Sequence, residues 1–427
     1  MRVQVWILLV LLPTTAHALA LDEATLVAAV LRQAPEVAAI AQRTRAVKAL
    51  GQQYVGLPDP SLRLTVTGID PMFRQPPTAM VMAEQAFPLG DARAAGRQVA
   101  DAQARAIAME QPLAEAELAW QARTVFAAWR SAHARQKILH HHVKMGDELI
   151  AAMTRQMATG GVTAARLARL QTDVERLRVE QDALTHGIAN LGKEVQLWLG
   201  DTPLSDPVLA LPEAPTQLEQ PDESHPVLAR LTAQEVAAQA RVTAANASSA
   251  LTLMPGAGVM TGPDMPIGFL VTVGVRWPGF GKGRDRIAGQ VESARADGEA
   301  LVAEKRAKTR RIAVAMAQAW TAMEDVRLRR HGLHSRVLPL AERAVHAAMP
   351  AVASGTGAAV DLIEAEHRLV DLELQIVALD DAWLAARARW LWLRDGDPEG
   401  QAMAPGGGNA LPSPTVPEPT PGGMPGM

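Results

Sequence analysis

The sequence predicts a mainly α chain with a small β part, built as two tandem copies of one unit. Three observations carry this reading. Motifs recur in the same order: Ala34-Pro35-Glu36-Val37 with His225-Pro226-Val227-Leu228, Phe87-Pro88-Leu89-Gly90 with Trp277-Pro278-Gly279-Phe280, and Gly160-Gly161-Val162-Thr163 with Gly355-Thr356-Gly357-Ala358. The second copy trails the first by about 190–195 residues, far more than a solenoid period. Two very long segments, one in each copy, carry no strand signal. Among 427 residues there are 1 tyrosine and 5 phenylalanines, while alanine is abundant. That composition suits long helices packed closely side by side.

The chain opens with an export signal. Arg2 supplies the charge, Trp6 to Leu12 the apolar stretch, and Ala18-Leu19-Ala20 a small-x-small cleavage site, so residues 1–20 are expected to be removed and Leu21 to begin the mature chain. The rival reading is a buried N-terminal helix. Residues 21–201 form the first repeat. A helix is expected from Asp22, which can cap it, to about Gly56, ended by Pro58-Asp59-Pro60. Ser61 to Thr67 alternates Leu62, Leu64 and Val66 with Arg63, Thr65 and Thr67, a two-faced strand. Gly68 to Pro77 is a turn-rich loop, and Ala79 to Phe87 a second strand with a poorer pattern. Asp91 to about Met157 reads as a helix on the order of 100 Å long, kinked or broken at Pro112.

Past the Gly160-Gly161 turn, apolar pairs run as heptads: Leu167/Leu170, Val174/Leu177, Gln181/Leu184, Ile188/Leu191 and Val195/Trp198. Residues 202–223 are a proline-rich, acidic linker expected on the surface. Residues 224–397 repeat the plan. Ile267, Phe269, Val271, Val273, Val275 and Trp277 share one strand face, opposite Gly268, Thr272, Gly274 and Arg276, with Leu270 the exception. A greasy face opposite a small, polar one is the pattern of a strand between lipid and a wet lumen; a soluble sandwich is the alternative, although the chain lacks the further strands it needs. A second long helix runs from about Gly283 to Ala353, with interruptions expected at Pro339 and Pro350. A second heptad run follows: Leu362/Ala365, Leu369/Leu372, Ile376/Leu379, Trp383/Ala386 and Trp390/Leu393. Each repeat therefore ends in a helical hairpin with glycines at its tip. Residues 398–427 are rich in Gly, Pro and Met and cannot bury a core.

Composition also excludes function classes. With no cysteine there is no disulfide, no thiolate metal site and no lipid anchor on an N-terminal cysteine. A formal charge of -3 gives no electrostatic case for nucleic acid. Past the signal no run of about 18 apolar residues predicts a transmembrane helix, so a membrane role requires a β-barrel. Gly279-Phe280-Gly281-Lys282-Gly283 lacks the spacing of a nucleotide loop, and no hydrolase or metalloprotease motif occurs, so no enzyme and no cofactor are expected.

The ordered set Leu21-Asp22-Glu23-Ala24, Pro35-Glu36, Pro58-Asp59-Pro60, Phe87-Pro88-Leu89-Gly90 and Gly355 through Ala365 resembles the TolC-like outer-membrane efflux proteins of Gram-negative bacteria, over about residues 21–397. Pro278-Gly279-Phe280-Gly281-Lys282-Gly283 looks most like the heavy-metal branch. The resemblance implies a homotrimer whose chains each give four strands to a twelve-stranded outer-membrane barrel and whose helices form a periplasmic tunnel. It implies as partners a periplasmic adaptor, an inner-membrane pump (the resistance-nodulation-division type favoured) and outer-membrane lipid. The function implied is a passive exit duct for heavy-metal cations or small toxic compounds. The alternatives are a periplasmic adaptor or coiled-coil scaffold, and the outlet of a type I protein-secretion system.

Asp361 and Glu364, three apart on one helix face, are the candidate gate; the resemblance puts such acids at the periplasmic constriction, and threefold symmetry would make a ring of six carboxylates that favours cations. The alternative is a solvated helix face. The basic residue that family members often carry two after the tip glycine is Gly357 here. Arg166 stands where the second repeat has Asp361, so an Arg166–Asp361 pairing is a conjectural closing contact. Gly160, Gly161, Thr163, Gly355, Thr356 and Gly357 are the candidate adaptor-contacting tips. His140-His141-His142 cannot chelate one ion, because adjacent helical residues point about 100° apart; His331/His334 is a possible pair, solvated or packed histidines the default. Met72, Met80, Met82, Met254, Met260 and Met265 cluster near the strands; thioethers can hold soft metals, but ordinary lipid-facing residues are the favoured reading.

Overall fold

A computed structural model describes residues 21–67, 77–158, 162–200, 204–218, 220–262, 265–353 and 359–398. The expected signal over residues 1–20, the residues beyond 398 and the expected glycine tips Gly160, Gly161, Gly355 and Gly357 lie outside the described residues, as do Thr356 and Met72.

Asp22 caps α1 (Glu23–Gln33) by accepting a 2.7 Å hydrogen bond from the Thr25 N–H. The single helix expected to Gly56 is broken. Pro35 starts α2 (Pro35–Leu50), and Ala34 before it is forced into extended backbone, so the two helical segments meet at 41°. A 3₁₀ turn over Gly51–Tyr54 precedes β1 (Ser61–Thr67), β2 (Thr78–Glu84) and the two-residue β3 (Phe87–Pro88).

Helix α3 (Ala92–Ala108) and helix α4 (Glu110–Ala158) divide the first long segment at Met109. Pro112 falls in the first turn of α4, where its missing N–H has no intrahelical acceptor to lose. Helix α5 (Ala164–Leu199) returns along α4.

The second repeat gives α6 (Pro226–Ala247), β4 (Thr252–Gly262), β5 (Met265–Arg276) and α7 (Lys282–Gly332). A π-helical segment, Leu333–Val337, then leads into α8 (Leu338–Ala353). Pro339 explains the widened turn: it has no N–H, and its ring crowds the carbonyl four residues back, Ser335. Pro350 does not interrupt the helix as expected; α8 continues past it to Ala353. Helix α9 (Ala359–Asp395) returns along α8 and α7.

Heptad positions build the bundle core. Near the tips Met153, Leu170 and Val174 of the first repeat pack with Val345, Leu362 and Leu369 of the second. At the other end Leu26, Phe126, Trp129 and Leu199 form one cluster, and Leu228, Ile312, Trp390 and Trp392 another. Helix α4 also packs on α9, so the two repeats share a bundle. Polar groups cross it as well. Arg130 of α4 and Arg330 of α7 both reach Asp380 of α9, and Ser131 donates to Asp381 at 2.5 Å. Burial pushes the Asp381 carboxyl above its usual range, against the pull of Ser131 and the nearby arginines.

The linker is less free than its composition suggests. Leu21 is buried and forms a parallel bridge with Pro207; its N–H donates to Asp206 O and its carbonyl accepts from Val208 N–H, both at 2.9 Å.

Candidate functional site

The strands form one antiparallel sheet in the order β1-β2-β4-β5, with β3 pairing the start of β4 beyond the end of β2. Register fixes the faces, because directly opposed residues share a side. One row is Leu64-Val81-Val259-Phe269 and the next is Leu62-Ala83-Ala257-Val271. These rows, with Ile267, Val273 and Val275, make a continuous apolar face exposed to the surroundings; Phe269 is 89% exposed and Val271 78%. The opposite face carries Ser61-Glu84-Gly256-Thr272, Arg63-Met82-Gly258-Leu270 and Thr65-Met80-Met260-Gly268. Leu270, the exception in the alternation, lies among the methionines there.

This register corrects one expectation. Met80, Met82, Met254 and Met260 are not on the greasy face. All four belong to the rows opposite it.

At the far end of the bundle Asp361 and Glu364 are both exposed on the first turns of α9. Glu364 meets Arg368 of its own helix at 4.0 Å, and Asp361 has no ion-pair partner among the described residues. Arg166, exposed on the first turn of α5, does not pair with Asp361 within the chain. Thr163 is exposed in extended backbone at the start of α5, where its carbonyl accepts from the Arg166 and Leu167 N–H groups at 3.1 and 3.3 Å.

Sequence reasoning missed one group near this end. His140 and His141 are exposed, but His142 is buried between two carboxylates of α9. Its Nε2 lies 2.7 Å from Glu373 Oε2 and its Nδ1 3.3 Å from Glu366 Oε2. Burial pushes the imidazole pKa down, but the hydrogen bonds to Glu366 and Glu373 outweigh it and raise it to about 9. One turn along, His367 of α9 meets Asp173 of α5 at 3.3 Å. The signal in sequence was the heptad phase of α4, which places position 142 inward with Leu139 and Met153. His331, His334 and His346 are exposed, and no group of three or more His, Asp or Glu poised for a metal occurs among the described residues.

No protein-family model and no curated protein matches the sequence. Solved structures do match. CusC, described for the conformational changes that accompany folding and transmembrane channel formation, aligns at TM-score 0.70 with 15% identity, over 88% of this chain and 92% of that one. The outer membrane protein VceC of Vibrio cholerae aligns at 0.69 and 15% over 88% and 96%. The MtrE outer membrane channel of Neisseria gonorrhoeae, in its open state, aligns at 0.68 and 13% over 88% and 89%. The chain shares the fold of these outer-membrane channel proteins. Within that fold the greasy sheet face and the acidic turns of α9 occupy opposite ends of one long helical body.

Proposed function

We propose that the protein is a trimeric outer-membrane exit duct that passively conducts substrate delivered by an inner-membrane pump and a periplasmic adaptor. The observation that carries this reading is the sheet. Its apolar face is uncovered across four strands, and β1 and β5 each leave one edge unpaired among the described residues. In water such a face and two open edges would aggregate; in lipid an open edge is untenable. Three copies joined edge to edge remove both problems, giving a closed barrel with Leu64, Val81, Val259 and Phe269 toward lipid. Strands β4 and β5, with 11 and 12 residues, are long enough to span the hydrocarbon.

The helices then form the periplasmic tunnel. Asp361 and Glu364 of three chains form its acidic constriction, with Arg166 nearby, and the tips Gly160, Gly161, Thr163, Gly355, Thr356 and Gly357 receive the adaptor. Opening is a shift between two packings of the coiled-coil ends. The substrate is a heavy-metal cation or a small toxic compound, the former in keeping with the likeness of the Pro278–Gly283 turn to the heavy-metal branch, and a resistance-nodulation-division pump supplies the energy.

The test is fractionation and crosslinking of the full chain expressed with its own signal. A trimer found with the outer membrane and released only by detergent is expected. A monomer or dimer free in the periplasm would overturn the duct and support a soluble scaffold.

A further inference from the structure

The methionines on the sheet are segregated. No methionine of the paired rows lies on the exposed apolar face, which is hydrocarbon apart from Thr261 beside Ala79, whereas Met80, Met82, Met254 and Met260 all occupy the face with Thr65, Thr272, Arg63 and Glu84. If these thioethers served only as grease, the lipid side would be their place. Three of them are neighbours. Met80 directly opposes Met260, which puts their Cβ atoms about 5 Å apart; Met82 is the diagonal neighbour, about 7–8 Å away. The strand beside them is cleared. Gly258 lies opposite Met82 and Gly268 opposite Met260, and a Cβ on Gly256 would come within 2.8 Å of Thr272 Oγ1 and 2.9 Å of Glu84 Cγ. Side chains of β2 can therefore lie across β4. Met82 does so: its sulfur accepts from Thr272 Oγ1 at 3.4 Å. Met82 is buried and its sulfur is directed at Thr272, but that bond is weak and the side chain has three rotatable bonds, so a rotamer change would bring the sulfur toward Met80 and Met260. Beside the methionines Arg63 and Glu84 pair at 3.7 Å and offset each other, and the further charge on this face, Arg276, lies at the far end of β5, opposite Thr252.

We propose that Met80, Met82 and Met260 form a thioether site for a soft monovalent cation, Ag(I) or Cu(I), on the inner face of the sheet. Neutral sulfur ligands select soft cations and discriminate against Mg(II), Ca(II) and Zn(II), which prefer oxygen or nitrogen. The inner position rests on the duct reading: there the triad would face the lumen and recur three times around it. A weak, uncharged site suits transit, because a cation must leave as readily as it enters.

The experiment uses the full chain purified in detergent, with Ag(I) as a redox-inert probe. Peroxide oxidation of each methionine is followed by peptide mass spectrometry with and without Ag(I). Ag(I) is expected to slow oxidation of Met80, Met82 and Met260 by about tenfold, in line with ligand loss or protection at metal sites, and to leave Met254 unchanged. The variant M80L/M82L/M260L, which keeps volume and apolar character, is expected to bind one Ag(I) fewer per chain in equilibrium dialysis. No protection, protection of Met254 equal to the other three, or an unchanged stoichiometry would overturn the site. Oxidation footprinting reads the unmodified chain, so its outcome does not depend on how the variant folds. Protection in a chain that proves soluble and non-trimeric would sink the duct and keep the site; its absence in a membrane trimer would do the reverse.

Discussion

Replacing His142 with glutamine tests whether the buried imidazole clamps the two repeats together. His142 of α4 holds Glu366 and Glu373 of α9, so the clamp joins the first repeat to the helix that carries Asp361 and Glu364. Folding raises the imidazole pKa from 6.5 to about 9. At 1.36 kcal/mol per pH unit this corresponds to about 3 kcal/mol of stability. The sign follows from the direction of the shift. The folded state binds the proton more tightly, so the contribution is complete below about pH 6.5 and is lost as pH rises through about 9. Thermal unfolding of purified wild type and H142Q should therefore differ by on the order of 3–6 °C at pH 6 and converge above pH 9. A gap of the same size at pH 6 and pH 9.5, or no gap at either, would refute the charged clamp.

Three further outcomes are expected. Phe269→Arg puts a charge on the exposed apolar row at a cost of about 2–4 kcal/mol near the bilayer midplane, so detergent-extracted trimer should fall sharply in membrane fractions while Thr272→Arg on the opposite face is tolerated better; equal yields would count against the lipid assignment. Neutralising the α9 turn with D361N/E364Q should reduce cation selectivity in planar-bilayer recordings, and an unchanged reversal potential in a salt gradient would remove these residues from the constriction. A Cβ at Gly146 would overlap the Val174 side chain of α5, so Gly146→Ala should lower stability by about 1–3 kcal/mol, with Val174→Ala restoring much of the loss; a melting temperature equal to wild type would show that α4 and α5 have room to separate.

The parts of the fold that depend on period were readable in the sequence. Heptads placed Leu167, Val174, Leu362 and Leu369 in the core, and strict alternation placed Phe269 and Val271 on the exposed face. What escaped depends on pairing between distant segments. The face taken by Met80 and Met82 is set by register against β4, and the poor alternation of β2 gave no local sign of it. His142 sat in a run of three histidines whose polarity pointed to solvent, yet α9 supplies two carboxylates more than 200 residues later, at separations of 224 and 231. Asp380 and Asp381 fall between the apolar pairs of the second heptad run; their arginine and serine partners come from α4 and α7. The break at Pro35 was legible in principle, because a proline bars the preceding residue from helical backbone.

The bridge between Leu21 and Pro207 bears on the order of events during folding. Leu21 precedes the whole first repeat, yet its backbone partners Asp206 and Val208 lie beyond it. A contact between residues so far apart in sequence forms late, since the intervening chain must be threaded and collapsed before the ends can meet. The Leu21 segment therefore works as a clasp fastened after the first hairpin is made: until it closes, the first repeat remains open at its base.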